Sequence, residues 1–375
     1  MITDRSGTLV RNHDMSAAWR HVDVVLCVAV GIAALFGLAM VYSATAHESP
    51  PGGYFERQSV FVTLGVVVMA AVASLDYVKL RDWARLIYVG AVGGLVLVLF
   101  FGQTVNGTKG WFDLGVGQLQ PAEFAKFAVI VSVASYLGSL TERPRAKELL
   151  ICLLLFGLPI GLIMLQPDLG TTLVFVVVAV GMLVVAGFPA RTLIVLGLIG
   201  LLGVAGILSS DTLDEYQKDR LTSFANPDGS DSAAIYNTRQ AQIAIAAGGF
   251  SGEGYLEGEQ TKGGYVPEQQ TDFIFTVAAE ELGFVGAGFL LVVLAVIVWR
   301  IWRTAVLARD QVGRLMCIGV LCMFVFHIFQ NVGMSLGIMP VTGIPLPFVS
   351  YGGSAALSMF AAMGLVLNVH MRRYS

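Results

Sequence analysis

The sequence predicts an all-α polytopic membrane protein, and three observations lead to that fold class. Of the 375 residues, 56% are hydrophobic and only 13% are charged, whereas a soluble domain carries about 25% charged residues. Apolar runs of about 20 residues, the length that crosses a bilayer, recur along the chain. Lys and Arg gather on alternate connecting segments. The net charge of −3, without a basic patch, gives no indication of a nucleic-acid partner.

Ten apolar segments are predicted to span the membrane, and the whole chain, residues 1–375, is interpreted as one transmembrane domain. The first segment is too long for the core of a signal peptide and lacks a cleavage-type exit, so it is interpreted as a retained helix. The predicted spans are residues 22–44, 58–75, 84–101, 121–140, 148–165, 170–187, 191–209, 271–299, 312–337 and 352–370.

Basic residues set the predicted orientation. With the N-terminus in the cytoplasm, sixteen Lys and Arg residues fall on the inner side and six on the outer side, and Lys126 lies within a span. The positive-inside rule then predicts ten crossings with both termini cytoplasmic. Residues 1–21 form a cytoplasmic tail, and residues 210–270 form a large extracytoplasmic loop between spans seven and eight. Loops of that length are often functional, so function is expected on the outer face.

A pair of opposite charges is predicted at the outer end of span four. In the stretch WFDLGVGQLQPAEFAKF, Glu123 and Lys126 stand three residues apart, so they share one face of a helix that starts at Pro121. One interpretation is a neutral pair that caps its own helix, and the other is the charged wall of a cavity. Trp111, in the same stretch, is interpreted as an interfacial anchor.

A tight turn between spans five and six, in the stretch LQPDLGTTL, places Gln166 and Asp168 at the same outer end. Asp168 is well placed to cap the helix that follows. Ionisable groups in membrane spans are rare and often functional. Asp168 is therefore either a helix cap alone or a cap that also faces a cavity.

The stretch PEQQTDFIFTVAAEELGF places Asp272 at the predicted start of span eight. A carboxylate there is favoured by the helix dipole and by free N–H groups, although Thr271 could cap the helix equally well. At 100° per residue, Glu280 lies about 80° and Glu281 about 180° from Asp272 around the helix. At least one glutamate therefore needs a partner on a neighbouring helix, and both are assigned to structural support.

Three prolines in GIMPVTGIPLPFVSYGGSA forbid a regular helix before span ten. Non-helical backbone at membrane depth persists only where it is buried in protein or lines a water-filled cavity. Ser350 is interpreted either as a cavity-lining hydroxyl or as a turn serine. His327 and Asn331 in span nine are interpreted as buried core residues. Because these polar regions all lie at outer helix ends, they indicate a cavity that is open to the outside.

The four stretches quoted above, together with YNTRQAQIAIAAGGFSGEG, resemble the motifs of one family in order and spacing. The chain resembles the SEDS family (shape, elongation, division and sporulation) nearly from end to end, and PVTGIPLPFVSYGG is closer to the RodA branch than to the FtsW branch. The resemblance implies ten transmembrane helices and a peptidoglycan glycosyltransferase that polymerises lipid II for cell elongation. It further implies a multi-pass protein of the bacterial inner (plasma) membrane with an outward-facing active site.

The resemblance also assigns residues and a partner. Asp272 is implied to be the essential catalytic carboxylate. The residues implied to line the cavity or to contact substrate are Glu123, Lys126, Asp168, Ser350, Trp111, Gln166 and the loop arginine Arg220. The implied partner is a single-span class B penicillin-binding protein, a transpeptidase that cross-links the strands.

The expected reaction inverts an α-linked sugar diphosphate into a β-linked polymer, so it needs a base and a stabilised leaving group. Asp272 is the hypothetical base for the acceptor 4-hydroxyl. Lys126 and Arg220 are candidate cations for the diphosphate, alone or with a divalent ion such as Mg²⁺ or Mn²⁺, for which the sequence has no dedicated motif. Two alternatives stay open: a flippase or transporter of the lipid-linked precursor, and an FtsW-like division polymerase.

Overall fold

The computed structural model describes residues 20–47, 53–105, 107–113, 115, 117–140, 142, 144–208 and 233–373. Over these residues the chain is mostly helical. The helices are α1 Val24–Thr45, α2 Tyr54–Ser74, α3 Tyr77–Phe101, α4 Pro121–Gly138, α5 Ala146–Met164, α6 Leu169–Val185, α7 Ala190–Leu208, α8 Ala233–Gly248, α9 Glu259–Gly263, α10 Ile274–Val306, α11 Gln311–Ser335 and α12 Gly353–Met371. A helix lies at each of the ten predicted spans, and α8 and α9 lie in the segment that precedes α10.

Seven of the described helices, α1, α2, α3, α5, α10, α11 and α12, are long and apolar enough to cross a membrane. This finding confirms a multi-pass membrane protein. Helix α6 is also apolar but has only 17 residues. The predicted tail lies almost entirely outside the described residues, and so does the part of the predicted loop that contains Arg220.

A small antiparallel sheet between α3 and α4 corrects the all-α expectation. Its strands are β1 Gln103–Val105, β2 Thr108–Asp113 and β3 Gln118–Leu119, in the order β1-β2-β3. The longest strand has six residues and the shortest has two, which is too short for alternating hydrophobicity to identify. The local signal in the sequence is the Asn-Gly dipeptide at positions 106 and 107, a common hairpin turn.

Residues 336–352, which connect α11 to α12 without a helix, form a segment that we call the proline loop. Two glycines let this loop approach the helices closely. A Cβ on Gly37 of α1 would lie 2.5 Å from the Phe348 carbonyl oxygen, and a Cβ on Gly170 of α6 would lie 2.7 Å from the Thr342 carbonyl oxygen. A side chain at either glycine would therefore displace the loop. Of the two alternatives for this backbone, burial in protein or the lining of a cavity, the first describes Ile344 and residues 346–350, which are buried, whereas Gly343 is exposed.

The two glutamates of α10 hold neighbouring segments in place. Glu280 accepts hydrogen bonds from the N–H groups of Gln260 (2.6 Å) and Thr261 (3.1 Å) and from the Thr261 hydroxyl (2.7 Å). Glu281 accepts a hydrogen bond from the hydroxyl of Ser43 on α1. The expectation that a neighbouring helix supplies a partner is therefore confirmed, and the contacts of both acids are those of structural residues.

At the end of the helix bundle opposite the proline loop, charged side chains connect the helices through hydrogen bonds. We call this end the closed end. Asp23, which caps α1, accepts a 2.7 Å hydrogen bond from Arg300 Nε, and the Asp23 side chain is 1% exposed. Arg372 donates to the carbonyl oxygens of Ala73 (3.1 Å) and Ser74 (3.0 Å) where α2 ends. These contacts tie α1 to α10 and α2 to the C-terminal end of α12.

Candidate active site

The sequence predicts Asp272 at the start of span eight, but in the structure it precedes helix α10. The helix begins at Ile274, after the N-cap residue Phe273. The Asp272 N–H donates to the Glu268 carbonyl oxygen (3.0 Å) within a turn. Thr271 does not cap the helix, because its hydroxyl donates to the same carbonyl (3.1 Å). The Thr271 alternative is therefore wrong, and angles measured from Asp272 around α10 do not apply.

The Asp272 carboxylate lies against the proline loop. A Cβ on Gly343 would lie 3.4 Å from Asp272 Oδ2. Gly343 is exposed, and its φ of 75° is one that glycine adopts without strain. The carbonyl oxygen of Asp272 accepts a 2.8 Å hydrogen bond from Asn331 Nδ2 of α11. Asp272 is half-buried, so its carboxylate lies between the start of α10 and an exposed stretch of backbone.

The predicted charge pair on α4 is confirmed as a buried ion pair. Lys126 Nζ lies 2.6 Å from Glu123 Oε1, and the two side chains are 2% and 4% exposed. Lys126 Nζ is also 3.2 Å from His327 Nε2, and His327 Nδ1 is 3.2 Å from the Pro345 carbonyl oxygen. Because an ammonium only donates and a carbonyl only accepts, Nε2 accepts and Nδ1–H donates. His327 therefore connects the ion pair to the proline loop.

Asp168 caps α6, as predicted, and it also contacts the residue before α4. Its Oδ1 accepts from the Thr171 N–H (2.8 Å), and its Oδ2 accepts from Gln120 Nε2 (3.3 Å). Gln120 is the N-cap residue of α4. Since Gly170 in the first turn of α6 packs on the proline loop, Asp168 lies at the end of the bundle that carries this loop. We call that end the site end.

The other described candidates have distinct surroundings. Gln166 is buried and lies beside β2, where a Cβ on Gly110 would be 3.3 Å from Gln166 Oε1. Trp111 is half-buried in β2. Ser350 is buried, and its hydroxyl accepts a 2.9 Å hydrogen bond from the Leu346 N–H, as a turn serine does. The structure thus places these three residues at the site end.

Several buried oxygens at the site end have no hydrogen-bond partner within the described part of the chain. They are Glu123 Oε2, Thr276 Oγ1, Gln330 Oε1, Asn331 Oδ1 and Thr342 Oγ1. An unpaired buried polar atom costs about 1–3 kcal/mol. A group of such atoms at one end of a bundle is typical of a functional site.

No group of three or more His, Cys, Asp or Glu side chains in the described ranges could hold a metal ion. Glu123 is engaged by Lys126, and Asp168 is engaged by the Thr171 N–H. A divalent cation would therefore need oxygen ligands from the substrate, as magnesium ions bound to phosphates have.

Sequence reasoning missed the contacts of Asn331, His327 and Gln120. The sequence identifies the first two only as buried polar residues of span nine. The sequence feature that could have indicated these contacts is their spacing of four residues in a mostly apolar helix, because this spacing places both side chains on one face. Gln120 carries no signal beyond its position before Pro121.

The fold and the site define a class: a multi-pass helical membrane protein in which acids, a lysine and amides meet a non-helical loop at one end of the bundle. The chain belongs to the FtsW/RodA/SpoVE family of cell cycle proteins, whose family model matches residues 20–375. The resemblance to the SEDS family is thereby confirmed.

Similar proteins extend over nearly the whole chain. It is 36% identical over 337 residues to the peptidoglycan glycosyltransferase MrdB of Escherichia coli (strain K12), which covers 89% of this chain and 91% of MrdB. A chain from a structure on the coordination of polymerization and crosslinking by a peptidoglycan synthase complex aligns with a TM-score of 0.82, 32% identity, and coverage of 95% and 100%. The rod shape determining protein RodA of Thermus thermophilus aligns with a TM-score of 0.72, 31% identity, and coverage of 95% and 99%.

Proposed function

We propose that this chain is a peptidoglycan glycosyltransferase that polymerises lipid II into glycan strands, with Asp272 as the catalytic base. The MrdB relative supports the enzyme class. The single observation that carries the site is the position of the Asp272 carboxylate, between the start of α10 and the exposed Gly343. The similarity to MrdB and RodA supports a role in cell elongation and rod shape.

The proposed topology has ten membrane crossings, both termini in the cytoplasm and the site end facing outward. It is supported by the helices at all ten predicted spans and by the excess of basic residues on the side of the closed end. Residues 210–270 then form an extracytoplasmic loop, of which α8 and α9 are the described helices. The enzyme resides in the bacterial plasma membrane, within reach of a lipid-linked substrate in the outer leaflet.

In the proposed reaction Asp272 removes the proton from the 4-hydroxyl of the acceptor sugar. The hydroxyl oxygen attacks C1 of the donor sugar on the face opposite the diphosphate. The new β bond from C1 to oxygen forms, the α bond from C1 to the diphosphate oxygen breaks, and the lipid diphosphate leaves.

In this proposal, Lys126 and Arg220 supply the positive charge that stabilises the leaving diphosphate. An ammonium has three donors, and the contacts of Lys126 with Glu123 and His327 use two of them. The third serves a phosphate oxygen. The forked guanidinium of Arg220 suits the same group, because it can donate two parallel hydrogen bonds. A divalent ion such as Mg²⁺ or Mn²⁺, if bound, would supply further positive charge, and Glu123, whose Oε2 has no partner in the described chain, is the carboxylate that would hold it.

The remaining candidates support these groups. Asp168 fixes the start of α6 and the residue before α4, and Glu123 accepts a hydrogen bond from Lys126 Nζ and so orients it. Gln166 and Trp111 flank the site beside β2, where an amide and an indole suit a sugar or its peptide. Ser350 shapes the proline loop through its hydrogen bond to Leu346.

A single-span class B penicillin-binding protein is the proposed partner. The solved synthase complex supports a partner that cross-links the strands. A wholly apolar groove of about 620 Å³ between α10 and α11, lined by residues such as Leu294, Trp299, Val325 and Phe329, has the chemistry to receive its membrane helix. Replacing Phe329 and Val325 by alanine is expected to weaken co-purification of the partner, and unchanged co-purification would reject this groove.

A flippase is the rival function, and an FtsW-like division polymerase is the rival role. The family model that matches this chain also includes FtsW and SpoVE, so the division role keeps a specific observation in its favour. Complementation of elongation-deficient and division-deficient cells separates the two roles.

Polymerisation in detergent separates the enzyme from a flippase, because micelles have no second leaflet to receive a flipped lipid. Purified full-length chain, alone and with its partner, is incubated with lipid II, and the products are separated by gel electrophoresis. The proposal predicts glycan strands. Lipid II transport in vesicles without any polymer in micelles would reject it.

A further inference from the structure

Asn331 of α11 makes two hydrogen bonds that reach across the site end. It is fully buried, and its Nδ2 lies 2.8 Å from the Asp272 carbonyl oxygen and 2.9 Å from the Ile344 carbonyl oxygen. Both partners only accept hydrogen bonds, so the amide nitrogen must face them and the orientation of the amide is fixed. An amide nitrogen carries two hydrogens, and both are used.

The two carbonyl groups belong to the two segments that meet at the Asp272 carboxylate. One is the carbonyl of Asp272 itself. The other belongs to Ile344, which follows Gly343, and Gly343 is the residue that lies against Asp272 Oδ2. One side chain therefore sets the separation between the carboxylate and the exposed backbone beside it.

Neither segment has a regular hydrogen-bond ladder of its own at this point. Asp272 precedes the first residue of α10, and Ile344 lies within the proline loop. Their relative position consequently depends on groups from other elements, and Asn331 is the described residue whose side chain bonds both. Displacement of a catalytic group by 1 Å can reduce the rate by on the order of 100-fold.

The geometry points to Asn331 as a positioning residue that holds the Asp272 carboxylate in register with the proline loop, an inference that rests on the proposed function. Asn331 does not touch the reacting atoms. It acts through Asp272, so its loss lowers kcat while the binding of lipid II is retained.

The adjacent residue Gln330 provides a matched control. It is equally buried on the same helix, and its Nε2 donates one 2.8 Å hydrogen bond to the Pro340 carbonyl oxygen, also in the proline loop. It does not bond the Asp272 carbonyl among the contacts of the described residues. Leucine at either position removes the buried amide hydrogen bonds and introduces no new polar group.

The test compares Asn331→Leu with Gln330→Leu in the full-length chain with its partner. Each variant is assayed for lipid II polymerisation, for the KM of lipid II and for thermal unfolding. Both substitutions are expected to lower the Tm. Only Asn331→Leu is expected to lower kcat, by on the order of 100-fold, without a matching change in KM.

Equal kcat in Asn331→Leu and the unsubstituted chain would overturn the inference, and so would an equal loss of kcat in Gln330→Leu. If Asn331→Leu does not fold, Asn331→Ser takes its place with the same expected outcomes, since a serine hydroxyl is too short to bond both carbonyls. An inactive unsubstituted chain would instead reject the proposed function. Full activity of Asn331→Leu beside an inactive Asp272→Asn would reject this inference alone.

Discussion

The two ends of the helix bundle both bury charged groups, but they bond them differently. At the closed end, the carboxylate of Asp23 caps α1 and pairs with Arg300, and Arg372 satisfies the free carbonyl groups at the end of α2. At the site end, Glu123 shares Lys126 with His327 and still leaves one oxygen without a partner in the described chain.

The difference between the ends separates stability from function. Paired charges at the closed end join α1 to α10 and α2 to the end of α12. These residues therefore have a structural role. Within the described chain, the site end contains buried oxygens without a hydrogen-bond partner and a half-buried aspartate beside exposed backbone. Such an arrangement costs folding free energy, and functional sites are where proteins tolerate that cost.

The largest combined effect on stability and turnover is expected from Lys126→Met. The substitution leaves Glu123 as an unpaired buried charge, which costs about 3–5 kcal/mol of stability, and it removes the proposed cation for the diphosphate. We expect polymerisation to fall by on the order of 1000-fold. Lipid II turnover and thermal unfolding measure the two effects.

The double variant Glu123→Gln, Lys126→Met separates those two effects, because it removes both charges. Its Tm should recover most of the loss, since replacing a buried ion pair by neutral groups is often nearly neutral. Its turnover should stay low. Recovery of turnover together with stability would show that Lys126 is needed only for the fold.

A stability effect without a catalytic effect is expected at the closed end. Arg300→Met leaves Asp23, whose side chain is 1% exposed, without its cationic partner. We expect a loss of about 3–5 kcal/mol of unfolding free energy. The kcat of the protein that remains folded should be unchanged. A drop in kcat comparable to that of Lys126→Met would remove the distinction between the two ends.

The smallest effect is expected from a pair of glycine substitutions. Gly343 and Gly115 both have φ near 75°, but a Cβ at Gly343 would lie 3.4 Å from Asp272 Oδ2, whereas one at Gly115 would meet nothing within 4 Å of the described chain. Alanine at either site should cost about 1–2 kcal/mol of backbone strain. Only Gly343→Ala should slow polymerisation, by about tenfold, because its methyl group would lie in van der Waals contact with the carboxylate and occupy the space beside it. Equal rates in the two variants would contradict the assigned position of Asp272.

Sequence patterns predicted the helices and several local features of the site well. Apolar runs of about 20 residues are long enough to predict helices reliably, and a helix lies at every predicted span. The cap at Asp168 and the pair Glu123–Lys126 follow from spacings of three residues within one element. Such short-range geometry is a property of the helix itself.

Contacts between distant segments were beyond those patterns. Asn331 donates to the carbonyl oxygen of Asp272, which lies 59 residues earlier in the chain, and His327 contacts that of Pro345, which lies 18 residues later. No local periodicity encodes such pairs. The start of α10 at Ile274 was misplaced because the turn at residues 268–272 is set by its own backbone hydrogen bonds. The strands next to Trp111 are too short to produce a pattern.

The role of Asp272 as the base is best tested by Asp272→Asn, because asparagine keeps the size of the side chain and removes its ability to take a proton. Binding of lipid II and formation of glycan strands are measured on the same purified full-length protein with its partner. We expect binding equal to that of the unsubstituted chain and no detectable polymer. Polymerisation at a rate near that of the unsubstituted chain would contradict the assignment of Asp272 as the base.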